Sequence, residues 1–212
     1  MKSLLIIGAT GQVGQEMLQM ALQHHEILRV VAPSRRPLPS HAKLENPIVN
    51  FDSLPEDAPW WKADFALCTL GTTLRQAKSR GAFYRVDHDY VLTMAGLAHL
   101  AGTPTFGLVS SLGANPLSRV FYLRVKGEIE RDLAALGFTS LVIVRPSLLI
   151  GGPRSNSRPL EAVGLFLGAH LAALLPQRYR AVSTRNVARA LFAAALRSPA
   201  GFHLIESEKL SD

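Results

Sequence analysis

Residues 4–14 read LLIIGATGQVG, an apolar strand running straight into Gly8-x-x-Gly11-x-x-Gly14. Leu4 to Ile7 carry no polar side chain, as expected of a strand covered on both faces. Glycines at the end of such a strand let the chain reverse sharply and bring backbone N–H groups close to an anion. The helix that follows from Gln12 presents its positive end to the same place. Val13, Met17, Met20 and Ala21 give that helix an apolar stripe. The motif therefore constrains fold and ligand together: a βα unit with a pyrophosphate at its turn. The alternative is a glycine-rich turn that closes a βα unit and binds nothing.

The rest of the chain repeats the rhythm. Strands are expected at 3–7, 27–32, 48–51, 65–70, 105–110, 140–145 and 202–206. They are short, apolar and mostly non-alternating, which suits a parallel sheet. Helices are expected at 12–24, 82–101, 118–136 and 184–197. The second of these carries Phe83, Val86, Tyr90, Met94, Leu97 and Ala98 at three- and four-residue steps. Such alternation implies right-handed crossovers and an α/β fold, a Rossmann-type doubly wound parallel sheet. Residues 151–181 break the rhythm with a turn-like GGPRSNSRP, an apolar stretch and Pro176. A connection that long reads as a small C-terminal lid or substrate region within one domain spanning 1–212.

Composition narrows the class. Of 212 residues, 48% are hydrophobic and 18% charged, the balance of a globular domain. No apolar run reaches the ~20 residues of a membrane span. The opening strand carries the glycine turn, so it is not expected to be a removable signal peptide. The single cysteine, Cys68, excludes an internal disulfide and suits a reducing compartment. The net charge of +7 is dispersed and reads as a basic surface, so the expectation is a cytoplasmic protein, monomeric or homodimeric. Without zinc-ligand spacing or an aromatic RNA signature, nucleic acid is not an expected partner. His24-His25 closes the first helix, where an imidazole suits the negative helix end. Asp87-His88-Asp89 are consecutive on a helix and point in different directions, so they read as a partly solvated face and not as a metal site. Trp60-Trp61 reads as packing, with a docking surface as the alternative.

The end of the second strand selects the cofactor. A Rossmann site for NAD places an acidic residue about twenty residues past the glycines, on the ribose 2′-hydroxyl. Here that place holds Ala32-Pro33-Ser34-Arg35-Arg36, with no acid. Arg35 and Arg36 suit a 2′-phosphate through forked, charge-assisted hydrogen bonds, which points to NADP(H) over NAD(H). The alternative is two solvated arginines in a proline-rich loop. Asp52 suits either the adenine amino group or a simple turn.

Tyr122 and Lys126, four residues apart on a helix, share one face. A phenol titrates near 10, and a neighbouring ammonium stabilises the phenolate and lowers that value. Upstream, Leu108-Val109-Ser110-Ser111 ends a strand, where a serine can hold a carbonyl oxygen beside the phenol. The pattern suits hydride transfer, with Tyr122 moving the proton and Ser111 or Ser110 orienting the oxygen.

These residues together resemble the short-chain dehydrogenase/reductase superfamily. The resemblance is closer to one atypical branch, the Tat-interacting-protein-like NADPH-binding proteins and their bacterial relatives. It is carried by GATGQVG at 8–14, CTLGTT at 68–73, FYRVDHDYV at 83–91, VSSLGAN at 109–115, FYLRVKGEIE at 121–130 and VRPSLLIGG at 144–152. The cofactor set is then Gly8, Thr10, Gly11, Gln12, Val13 and Gly14 at the pyrophosphate, with Ser34, Arg35, Arg36 and Asp52 at the adenosine end. The resemblance implies that Leu70, Gly71, Thr72 and Thr73 lie along ribose and phosphates, and that Pro146, Ser147 and Leu148 approach the nicotinamide. It implies a catalytic set of Ser110 or Ser111, Tyr122 and Lys126, acting on a small carbonyl or hydroxyl compound. The alternative is a non-catalytic NADPH-binding protein that acts through a regulatory protein partner. Two departures stand out. Leu70-Gly71-Thr72 replaces the Asn-Ala-Gly of the better-known branch, and Asp87 stands near the place of an asparagine that holds a relay water.

Overall fold

The computed structural model describes residues 1–151 and 176–210. The first four strands of the main sheet are β1(Lys2–Ile7), β2(Ile27–Val31), β3(Leu44–Glu45) and β4(Phe65–Cys68). They are followed by β5(Thr105–Val109) and β6(Ser140–Arg145). Two short strands, β7(Leu149–Ile150) and β8(Val182–Ser183), pair parallel with each other outside that sheet, and β9(Gly201–Glu206) closes it. The seven strands lie in the order β3-β2-β1-β4-β5-β6-β9, every pairing parallel. The order reverses between β1 and β4, the topological switch point where doubly wound sheets bind ligands. This is the Rossmann-type fold expected from the alternation of elements.

The helices are α1(Gln12–Gln23), the short α2(Leu74–Ala77) and α3(Arg80–Tyr84), α4(Tyr90–Leu100), α5(Phe121–Ala135) and α6(Thr184–Arg197). A π-helical turn, Arg85–Asp89, joins α3 to α4. Successive strand residues point to opposite faces, and β1 shows it. Leu4 and Ile6 pack with Met17 of α1 and Leu191 of α6, while Leu5 and Ile7 pack with Met94 of α4 and Ile129 of α5. Burial of each such side chain contributes about 1.5–3 kcal/mol. Trp60 and Trp61 belong to the second layer, and the Trp61 indole donates to the Pro55 carbonyl at 2.7 Å, so the pair is packing. His24 follows the last residue of α1, its N–H bonded to the Ala21 carbonyl and its ring 5.3 Å from that of Phe192.

Several element boundaries differ from expectation; the strand expected at 65–70, for one, ends at Cys68. The third strand, expected at 48–51, is Leu44–Glu45, with isolated bridges from Ser34 to Ile48 and from Asn50 to Ser53 beyond it. Pro47 has no N–H for a ladder, and the Asn46 amide bonds to the Ala32 carbonyl at 2.6 Å in place of a backbone partner. The helix expected at 82–101 begins two residues earlier and passes through the π-turn. The helix expected at 118–136 starts at Phe121, because Ser118 accepts the Val120 N–H in a turn. Most of the lid expected over 151–181, namely 152–175, lies outside the described residues. Among the described residues no helix is long and apolar enough to cross a membrane.

Candidate functional site

The glycine turn is a steric requirement. Gly8 has φ +90°, and a Cβ there would lie 2.6 Å from the Leu70 nitrogen. A Cβ on Gly14 would lie 2.1 Å from the Gly8 carbonyl oxygen. The Gly11 N–H bonds to that same oxygen at 3.0 Å. Gln12 opens α1, whose N-cap Gly11 offers no side-chain bond and whose first turn holds no acid. Val13 is buried beneath the turn, while Thr10 and Gln12 are exposed.

A small cleft joins this turn to the loop after β2; Gly8, Thr10, Ser34, Arg35, Arg36, Phe51 and Leu70 line it. Arg35 and Arg36 are exposed, and the Arg35 guanidinium lies 5.6 Å from the centre of the Phe51 ring. The Ser34 hydroxyl donates to the Arg36 carbonyl at 2.6 Å and accepts from Asn46 at 2.8 Å, so it shapes the loop. Asp52 instead accepts the Tyr90 hydroxyl at 2.6 Å, with Arg85 at 3.8 Å. Ala9, Pro33 and Phe51 also line the cleft without having been expected there, Phe51 although it adjoins Asp52.

The loop after β4 lies across the same sheet edge. Thr73 caps α2 by accepting the Gln76 N–H, and the Thr72 N–H donates to Asp87 Oδ2 at 2.8 Å. A Cβ on the exposed Gly71 would meet Asp87 Oδ1 at 3.2 Å and Lys126 Nζ at 3.6 Å. Asp87 and Lys126 form an ion pair of 2.7 Å, with only 1% and 5% of these residues exposed. Burial works against the Lys126 charge, but Asp87 and then Tyr122 outweigh it and push its pKa up. Tyr122, one turn before Lys126, is half-buried, its ring 5.6 Å from that of Phe83.

The reading of Asp87-His88-Asp89 as a partly solvated face fails for the first two. The π-turn changes the angular spacing of an ordinary helix, and both Asp87 and His88 are buried. The His88 ring lies between Asp89 and Asp132, 2.9 Å from each, and stacks on Tyr84. Among the described residues no group of three or more His, Cys, Asp or Glu is arranged to hold a metal ion.

At the tip of β5, Ser110 is 5% exposed and donates its hydroxyl to Glu130, whereas Ser111 is half-buried with a 3.4 Å contact to the Leu112 carbonyl. Glu130 also accepts Arg145 from the end of β6, and this bond holds the Arg145 guanidinium above its ordinary pKa. Beyond it, the Pro146 carbonyl accepts the Leu112 N–H at 2.8 Å. The Ser147 N–H donates to the Ser207 hydroxyl at 3.1 Å, its own hydroxyl donates to the Arg180 carbonyl, and Leu148 is exposed.

Cys68, in β4, is fully buried, and burial pushes its thiol up to about 12. The thiolate is the reactive form. The native protein is therefore expected to leave a disulfide reagent such as Ellman's unreacted at pH 8 and to consume one equivalent once unfolded. Prompt reaction of the native protein would contradict that burial.

No family model matches the chain. Protein HTATIP2 of Rattus norvegicus is 39% identical over 165 residues, covering 76% of this chain and 67% of that one. Protein fmp52, mitochondrial, of Aspergillus fumigatus is 40% identical over 177 residues, covering 79% and 74%. Among solved structures, MoeE5 in complex with UDP-glucose and NAD has a TM-score of 0.73 at 17% identity, covering 98% of this chain and 79% of that one, a likeness of fold. The Aspergillus fumigatus relative and six further ones carry "mitochondrial" in their names, which overturns the expectation of a cytoplasmic protein. A lone cysteine and a basic surface suit any reducing compartment and do not single out the cytoplasm. On this relatedness, the chain belongs to the short-chain dehydrogenase/reductase superfamily, in the atypical branch of HTATIP2 and its fungal fmp52 relatives.

Proposed function

We propose that the protein binds NADP(H) in preference to NAD(H) and reduces a small carbonyl compound, with Tyr122 as proton donor. The observation that carries this reading is the buried Lys126–Asp87 pair one helical turn from Tyr122. Taking two charges out of water costs several kcal/mol per ion and contributes little to stability. A lysine held charged beside a phenol has a chemical use instead.

The residues fit a dinucleotide. Gly8 and Gly14 leave no room for a Cβ, the first turn of α1 carries no acid, and two arginines close the far side of the cleft. Bound there, NADPH supplies the reducing equivalent. Arg35 and Arg36 would hold the 2′-phosphate, and Gly71 and Thr72 would line the ribose. The Lys126 ammonium, anchored by Asp87, keeps donors for ribose hydroxyls and lowers the cost of a phenolate at Tyr122. Ser111 orients the carbonyl oxygen, because the Ser110 hydroxyl is committed to Glu130. The Tyr122 hydroxyl gives its proton to that oxygen.

Calorimetric titration with NADPH and NADH tests the cofactor half. A hydrogen bond to a charged group contributes about 1.5–3 kcal/mol. Arg35→Ala is therefore expected to weaken NADPH about ten- to a hundredfold and to leave NADH almost unchanged. Equal affinities for the two cofactors in the wild type would overturn the preference.

A further inference from the structure

Glu130 lies on α5 one turn past Lys126 and two past Tyr122, on the same face. It is 6% exposed, and both carboxylate oxygens are engaged. Oε1 accepts the Ser110 hydroxyl and Arg145 Nε, the latter at 3.0 Å, while Oε2 accepts Arg145 Nη2 at 2.5 Å. Arg145 ends β6, and its Nη1 reaches Glu206 at the end of β9 at 3.2 Å. Two backbone bonds of 2.8 Å tie the same region together, from the Ser110 N–H to the Val144 carbonyl and from the Leu112 N–H to the Pro146 carbonyl. Ser111 sits between those two bonds. A buried carboxylate is costly unless every lone pair is satisfied, and no step of the proposed reaction uses this one.

We propose that Glu130 is a positioning residue: through Ser110 it fixes the tip of β5 so that Ser111 presents its hydroxyl to the carbonyl beside Tyr122. This rests on the reductase reading above. Ser110 is then a strut and Ser111 the group that touches substrate. Arg145, held between Glu130 and Glu206, stops the carboxylate from turning away from Ser110. The requirement is one of aim, since a misplacement of about 1 Å at a reacting centre can cost on the order of a hundredfold in rate.

The test uses the full chain with NADPH and two variants. Glu130→Gln keeps the shape and removes the charge that holds Arg145. Ser110→Ala removes only the strut and leaves the Glu130–Arg145 pair, so it carries the test if Glu130→Gln fails to fold. Both are expected to lower kcat by about tenfold or more with KM for NADPH unmoved. Amide exchange at 110–112 is expected to speed up by about tenfold while that of β4 stays unchanged. A merely structural role would lower thermal stability and leave the kcat of the folded fraction alone. Wild-type kcat together with unchanged exchange at 110–112 in Ser110→Ala overturns the proposal. If the wild type turns over no carbonyl, the reductase reading fails by itself. Exchange at 110–112 then decides the strut: unchanged exchange refutes it, faster exchange supports it.

Discussion

Asp87→Ala is expected to destabilise the protein by about 3–5 kcal/mol, the cost of leaving a buried charge without its partner. The stranded group is the Lys126 ammonium, and the Thr72 N–H loses its acceptor at the same time. The size of the effect comes from burial, since an exposed pair would contribute at most about 1 kcal/mol. The pH range follows from the direction of the Lys126 shift. Burial opposes the charge, Asp87 and then Tyr122 overcome it, and the folded value stands above the ordinary 10.5. The contribution of Lys126 is therefore fully present below the ordinary lysine value and is lost as pH rises through the raised one. Urea unfolding at pH 7 measures the loss. Asp87→Ala with Lys126→Met is expected to recover most of it, because no unpaired charge remains. A loss under about 1 kcal/mol in the single variant would contradict a buried, charged pair.

Tyr122→Phe is expected to lower kcat by about 10²–10⁴ while leaving NADPH affinity nearly intact, as befits loss of a positioned general acid. That is about 2.7–5.5 kcal/mol of transition-state stabilisation. Lys126→Ala is expected to damage both quantities, since in the proposed reaction it serves the ribose and the phenol together. The split between the two variants distinguishes a proton donor from a residue that merely packs against Phe83. Steady-state kinetics beside calorimetry reads it, and full turnover in Tyr122→Phe would remove the assignment.

The parts of this account that were legible in the sequence are local. The glycine turn, the apolar strands and the shared face of Tyr122 and Lys126 follow from spacing alone, because strands repeat every two residues and helices every 3.6. Asp87 was not legible as the partner of Lys126. Its approach depends on the π-turn at Arg85–Asp89, which breaks the periodicity that sequence reasoning relies on. The bond that engages the Ser110 hydroxyl was equally hidden, because its acceptor, Glu130, lies 20 residues further along the chain. The third strand moved because Pro47 has no N–H to give a ladder and the Asn46 side-chain amide takes the Ala32 carbonyl instead.

Consumption of NADPH against a panel of small aldehydes and ketones, with Tyr122→Phe alongside, tests the central claim most directly. The account predicts that the wild type converts at least one of them to its alcohol, one for each NADPH consumed, and that Tyr122→Phe does so at least about a hundredfold more slowly. NADPH that binds tightly and is consumed with none of them, or equal turnover by both proteins, would contradict it.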